Sequence, residues 1–278
     1  RVLPYVGSSY DRVMCATYQA LDALAVADVQ TARVMLKRAE FAQEDAERRF
    51  TKQISEAAKT LAKDHATVNR VESSSAYKEG FDELYGTLEA RFQPYEGWTN
   101  PFTDWLTAIV LLGLDETGSD RNRAIDLLRR VRGTIGPNAA VDADLARAER
   151  GPVSGVVWVM VESGLAPKRV ERTFKIPAYI PEIPFVGLAL PDLVAMPGGI
   201  DSFTLDGTPS SVVCDLGSII SHEFSVQLPL ITRRAIASTL AKAAATLAAN
   251  LAAKRSSNKW AQVFSILGTN LYGSLTLA

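Results

Sequence analysis

No proline occurs between Asp11 and Gln93. Proline deletes a backbone donor and clashes with the preceding turn, so a proline-free stretch of this length leaves helix unopposed. The apolar positions agree. Tyr18, Leu21, Ala25 and Val26 recur at helical spacing, Asp28 interrupts as a polar turn, and the stripe resumes at Ala32, Leu36 and Ala39. It runs on through Ala42, Ala46, Phe50, Ile54, Ala57 and Leu61 with a mean step of about 3.6 residues, the period of a straight helix rather than a supercoil. Two helices joined by a tight turn are expected, the second on the order of 45 Å long.

Ser73-Ser74-Ser75 then offers N-cap candidates for a helix through Phe81, Leu84, Tyr85 and Leu88 that stops ahead of Pro94. Another helical pair begins at Asn100-Pro101, where asparagine caps and proline fits the first turn. Trp105, Ile109 and Leu112 make one stripe, Gly118 sits in the turn, and Ala124, Leu127, Leu128 and Val131 make the next. The two pairs form a weak internal repeat. Residues 1–150 are accordingly expected to form a helical domain.

The second half changes character at Gly151-Pro152. Nine of the 13 prolines fall at or after Pro152, and charge thins from 20 basic and 23 acidic residues before Gly151 to 10 and 8 from there on. Val156 to Val161 is a continuous apolar, β-rich run ended by Ser163-Gly164, which predicts a buried strand. Arg169 to Ile176 alternates in polarity, which predicts a neighbouring strand with one polar face. Pro177, Pro181 and Pro184 predict an extended path, with short strands at Val186 to Leu190, Ser202 to Leu205 and Ser211 to Val213. Helical spacing returns from Leu216 up to Pro229 and again from Ile231 to Ala253. The fold class expected is α+β: the helical domain at 1–150, then a proline-rich domain at 151–278 with short strands over 155–215 and helices over 216–270.

A length of 278 residues suits two domains, and 47% apolar residues supply a core. A net charge of −1 gives no field to gather nucleic acid or an acidic membrane surface. Two histidines and two cysteines are too few for a cysteine-rich metal site, and Cys15 and Cys214 read as two buried thiols ahead of a disulfide. No run of 18 uncharged apolar residues occurs; Ile236 to Ala253, interrupted by Lys242, reads as an Ala-rich helix of a soluble body. Phosphate-binding glycine loops and the serine nucleophile elbow are missing. His222 beside Glu223 is the best acid–base candidate, yet neighbours on a helix point about 100° apart and cannot form an oriented dyad alone. His65 reads as solvated. Asp142 and Asp144 fit a helix start, Glu44 and Glu47 a charged face, and Lys254-Arg255 with Lys259 and Trp260 a solvated helix end. No catalytic residue, metal ligand or cofactor site is expected. From Ile176 to Thr232 there is no Lys or Arg, so Phe185 and Leu190 stand in an apolar, mildly acidic stretch suited to contact, either with its own sheet or with another subunit.

The Tyr18-Gln19-Ala20-Leu21 helix, the Asp28 turn and Ala32-Arg33 through Arg38-Ala39 resemble a tetratricopeptide unit. Taken with Asn100-Pro101-Phe102, Glu162-Ser163-Gly164-Leu165-Ala166-Pro167, Leu228-Pro229, Arg233-Arg234-Ala235 and Lys242-Ala243, most of the chain resembles a family of uncharacterised bacterial envelope lipoproteins with tetratricopeptide-like N-terminal helices. That resemblance implies a signal peptide and lipidated cysteine before Arg1, a periplasmic body at the outer membrane with membrane contact only through that anchor, and a further segment after the helix ending near Asn270. It brings no catalytic residues.

The function expected is a non-enzymatic protein-interaction scaffold, a subunit of a homo-oligomer whose partners are further copies of itself and other envelope proteins. The alternative is a cell-wall-acting hydrolase, or an activator of a cell-wall synthase, using His222 and Glu223. Partner contact is expected at Tyr18, Arg33, Trp98 and Trp105, with Phe185 and Leu190 on the proline-rich side, although core packing suits Tyr18 and Trp105 as well.

Overall fold

The computed structural model describes residues 7–61, 65–114, 118–180, 182–200 and 202–255. Helices α1 (Ser9–Ala25), α2 (Val29–Leu61), α3 (His65–Glu72), α4 (Ser75–Tyr85), α5 (Leu88–Phe92), α6 (Pro101–Gly113), α7 (Ser119–Ile135) and α8 (Ala139–Arg150) come first. Strands β1 (Lys168–Ile180), β2 (Ile183–Val194), β3 (Thr204–Leu205) and β4 (Thr208–Pro209) follow, and α9 (Leu216–Arg255) closes the order. The fold is mixed α and β, with two separate two-stranded antiparallel sheets, β1–β2 and β3–β4. The helix expected over 256–270 and the patch at Lys259 and Trp260 lie outside the described residues, as do the side chains of Ile54, Ala57, Leu61, His65, Lys254 and Arg255.

The chain divides into two compact units, each assembled from three stretches. One comprises Arg1–Thr51, Phe92–Pro167 and Ala195–Phe224; the other Lys52–Arg91, Lys168–Val194 and Ser225–Ala278. This division differs from the single boundary expected between 1–150 and 151–278. The compositional change there marks the end of α8, where Gly151 takes a φ of +147° and Pro152 follows. The chain passes between the units inside α2, α5 and α9, and again just before β1 and just after β2, so three of the five crossings lie within helices that no loop composition marks.

In the first unit the turn at Asp28 and the cap at Asn100 form as the sequence predicts, and Asp28 caps as well. Ala27 turns the chain with a φ of +57°, and the Asp28 carboxylate then accepts from Thr31 N at 3.0 Å to start α2. Asn100 Oδ1 accepts from Thr103 N at 3.1 Å, with Pro101 in the first turn of α6. The stripes Ala20, Ala23, Ala32 and Leu36, then Trp105, Ile109 and Leu112, then Ala124, Leu127, Leu128 and Val131 meet in one core. Gln43, Asp104 and Arg130 cross that core as a polar strut. Arg130 donates twice to Asp104, at 2.7 Å each, Gln43 Nε2 donates to Asp104 at 3.3 Å, and Gln43 Oε1 accepts from Asn100 N at 2.6 Å. Burial raises the Asp104 pKa, and the Arg130 guanidinium opposes that rise. A two-residue ribbon, β3–β4, closes around Asp206 and Gly207, both at positive φ, as the primed hairpin turn requires. The strand expected at Ser211 to Val213 does not form; β4 is Thr208–Pro209.

In the second unit Ser74 Oγ accepts from Tyr77 N at 3.3 Å and starts α4. The alternating run at Arg169 to Ile176 becomes β1 and pairs antiparallel with β2, with Phe174 opposite Leu188 and Ile176 opposite Val186. β2 extends through Pro184 and Pro191, further than the short strand expected. Each strand of a two-stranded ribbon keeps one free edge, so a missing N–H on that side costs no ladder bond. From Val186 to Asp192 the even-numbered residues of β2 are buried while Phe185 and Ala189 are exposed, the period-2 consequence of one covered face. Gly80 of α4 lies so near the Phe174 ring that a Cβ there would stand 2.3 Å from it. The break expected at Pro229 does not occur, and α9 continues with Pro229 inside it. Helix α3 is not among the elements that the sequence predicts.

Candidate functional site

The expected buried strand at Val156 to Val161 does not exist. These residues are extended but belong to no sheet, and their backbone makes no hydrogen bond to backbone elsewhere among the described residues. The apolar run was read as a central strand on hydrophobicity alone, and hydrophobicity does not supply a neighbour. What holds the run is a side-chain clamp. Asp144, buried on α8, accepts from Trp105 Nε1 at 3.0 Å through one carboxylate oxygen. Through the other it accepts from Trp158 Nε1 at 3.0 Å and from Arg147 Nη1 at 2.9 Å. Two indoles and a guanidinium thus share one carboxylate. Val153 and Trp158 rest against the helical core.

The far end of the run is tied as well. Tyr18 Oη donates to Glu162 at 3.0 Å, and Ser163 Oγ accepts from Ile200 N. Burial, followed by the Glu162 carboxylate, raises the Tyr18 pKa. Between these ties the alternation of an extended chain turns Val157, Val159 and Val161 outward, 85%, 53% and 50% exposed. Met160 and Leu165 are exposed beside them. No charged residue interrupts the chain from Gly151 to Val161.

The residues expected to contact partners fare differently. Tyr18 is exposed but tied to Glu162. Arg33 forms an ion pair with Asp120 at 3.2 Å. Trp98 stacks on Phe50, with ring centres 4.4 Å apart and an angle of 8°, and meets the edge of His222 at 5.1 Å. Trp105 is core, its indole spent on Asp144. On β2, Phe185 is 57% exposed on the outward parity, whereas Leu190 is 1% exposed on the inward one and cannot present its side chain. The exposed valines and Asp144 were missed. Asp144 had been read as a helix-start charge, and the pairing with two indoles 39 and 14 positions away leaves no local signal.

His222 and Glu223 do not form a dyad. The buried Glu223 carboxylate accepts from Ser9 N at 3.2 Å and from Tyr10 N at 3.4 Å, capping α1 from 214 positions away. His222 is half-buried against Trp98, and burial lowers its pKa. The cavity beside them, about 20 Å³, has room for about one water and contains no second carboxylate in its wall. Cys15 is exposed, against the expectation of a buried thiol, while Cys214 is half-buried and desolvation pushes its pKa up to about 12. The two are not bonded. Among the described residues no group of three His, Cys, Asp or Glu is placed to hold a metal ion.

In the second unit a groove of about 350 Å³ lies between α4, α5 and β1, with Arg91, Arg172 and Asp192 in its wall. Its central charges are already engaged. Arg91 donates to the backbone oxygen of Leu193 at 2.9 Å and of Leu84 at 3.2 Å, and to Asp192 at 3.1 Å; Arg172 reaches the other Asp192 oxygen at 3.8 Å. Among the described residues one helix, Leu216–Ala252 within α9, is long and apolar enough to cross a membrane by length and composition, with a mean hydropathy of 1.2 over its most apolar window. The same helix carries core residues, including Ile220, Phe224, Leu228 and Ile236.

Fold and site together define a helical-pair protein that holds one uncharged, extended segment open on its surface. Compared with known proteins, the chain matches no family model, no curated protein and no solved structure.

Proposed function

We infer that this chain is a non-enzymatic protein-interaction scaffold of the bacterial envelope and a subunit of a homo-oligomeric assembly. The observation that carries the reading is the segment from Val156 to Val161, which is apolar, extended, tied at both ends and without a neighbouring strand among the described residues. Exposed strand edges with β-branched side chains are pairing templates, and soluble proteins ordinarily blunt them with charge, proline or cover. None of the first two is present from Val153 to Val161. A protein that keeps such an edge has a use for it in contact.

The remaining polar candidates support the same side. Glu223 caps α1 and Asp144 clamps two indoles, so both act on the fold rather than on a substrate. The envelope placement, with a lipid anchor ahead of Arg1, rests on the resemblance carried by Glu162 to Pro167. Sedimentation velocity of the whole chain across the micromolar range tests the reading. Concentration-dependent self-association is expected, and a strict monomer at the highest concentration contradicts the homo-oligomer.

A further inference from the structure

We propose that Val157 to Val161 pairs antiparallel with the same segment of a second copy, through a two-fold axis at Val159. The proposal deepens the scaffold reading and rests on it. A two-fold contact requires a surface complementary to itself, and this one is. With Val159 facing its own copy, Val157 of one chain stands opposite Val161 of the other, and Val161 opposite Val157. All three cross-strand pairs then fall on the exposed face.

β-branched side chains side by side on one face are the pairs that favour sheet, so the surface is best matched by another strand of its own kind. Charge allows the approach. The chain is uncharged from Gly151 to Val161, so two copies aligned in this register bring no like charges together over the paired residues. The bland explanation for an exposed run, a loose loop, conflicts with its anchors: Trp158 is fixed on Asp144, Glu162 on Tyr18 and Ser163 on Ile200. A strand held extended before binding loses little conformational freedom on pairing.

The expected strength follows from size. One ladder of about five residues from each copy, with three valine pairs, covers less than the roughly 1,200 to 2,000 Å² of a stable interface, so the contact is weak and concentration-dependent. Its backbone bonds and its one covered face also make it sensitive to a single charge on the axis.

The test uses the full chain with the exposed Cys15 replaced (Cys15→Ser), carrying Val159→Cys. Directly opposed strand residues approach within disulfide reach. Mild oxidation is expected to give a covalent homodimer, whereas Leu205→Cys, equally exposed but on β3, gives little. Val159→Lys, which places two ammonium groups face to face, is expected to weaken self-association about tenfold or more. Val159→Thr, which keeps the β-branch, leaves it within a few-fold. Because Val159 is exposed, an unchanged thermal melt of Val159→Lys certifies the fold. If the parent chain self-associates while Val159→Cys gives no dimer and Val159→Lys has no effect, this interface is wrong and the oligomer is built elsewhere. If the parent chain is monomeric throughout, the homo-oligomer reading fails with it.

Discussion

Two stretches of this chain carry β-type patterns, and their fates are opposite to their hydrophobicity. Val156 to Val161 is the more apolar and contains no charge, yet it pairs with nothing described. Arg169 to Ile176 alternates with four charged residues and becomes a full strand, matched with β2 over most of its length. The difference is the availability of a neighbour. β1 and β2 are joined within a few residues, so closing the hairpin costs little chain entropy and fixes the register. Val156 to Val161 follows a helix and leads into an irregular segment, so no strand is delivered beside it. Strand identity is thus decided by topology, and apolar character decides only how strongly an unpaired strand wants cover.

The comparison breaks most severely at the clamp. Asp144→Ala removes the acceptor of two indole N–H groups and the partner of Arg147. A loss of about 3 kcal/mol in the first unit is expected, read by thermal melting, because buried donors are left unmade. The hairpin's hydrogen bonds do not involve Asp144, so exchange protection of β1 and β2 should stay at the parental level. Loss of hairpin protection along with the first unit would show that the two regions are not independently held.

The paired region has its own weak point in the second unit. Gly80→Ala puts a methyl carbon into the Phe174 ring and is expected to cost about 1 to 3 kcal/mol, despite alanine's better helix propensity. A neutral or stabilising result would mean the α4 to β1 packing has slack, and would weaken the claim that the hairpin is firmly covered on one face.

A finer probe is Trp158→Phe. It keeps a ring on the core but deletes the indole donor to Asp144, for about 1 kcal/mol. Limited proteolysis should then accelerate between Gly155 and Val161 while the hairpin remains resistant. Equal cutting rates in parent and variant would remove the anchor from the explanation of why the run stays extended.

The smallest effect concerns His222. Burial lowers its pKa in the native state, so the unfolded chain binds the proton more readily, and the stability this residue contributes is present above its ordinary value near 6.5 and lost as pH falls below it. His222→Gln should flatten that part of the stability profile of the first unit. An unchanged slope between neutral pH and pH 5 would place the acid sensitivity on other groups.

Much of the helical part was legible, for reasons these residues make plain. Asp28, Ser74 and Asn100 are caps whose hydrogen bonds span only three positions, and the stripes from Ala32 to Phe50 and from Ala124 to Val131 are repeats of local spacing. What stayed hidden depends on distant chain. Glu223 caps a helix that begins 214 residues earlier, and Asp144 receives Trp105 and Trp158 from both sides of its own position. Pro229 was read as a break because proline usually is one, yet α9 passes through it. The candidate surface was visible as an apolar run but assigned to the interior. Sequence reports that such a run prefers cover, and only the fold reports that the chain does not supply a paired strand for it.

The measurement that bears most directly on this difference is amide hydrogen exchange of the whole chain at several protein concentrations, with the hairpin as internal reference. Amides of β1 and β2 that bond across the hairpin should exchange slowly at every concentration. Amides of Val156 to Val161 should exchange quickly in dilute solution and gain protection as the protein is concentrated, as expected if a second copy supplies the missing strand. Protection that is absent at every concentration, or present and independent of concentration, would contradict pairing between copies.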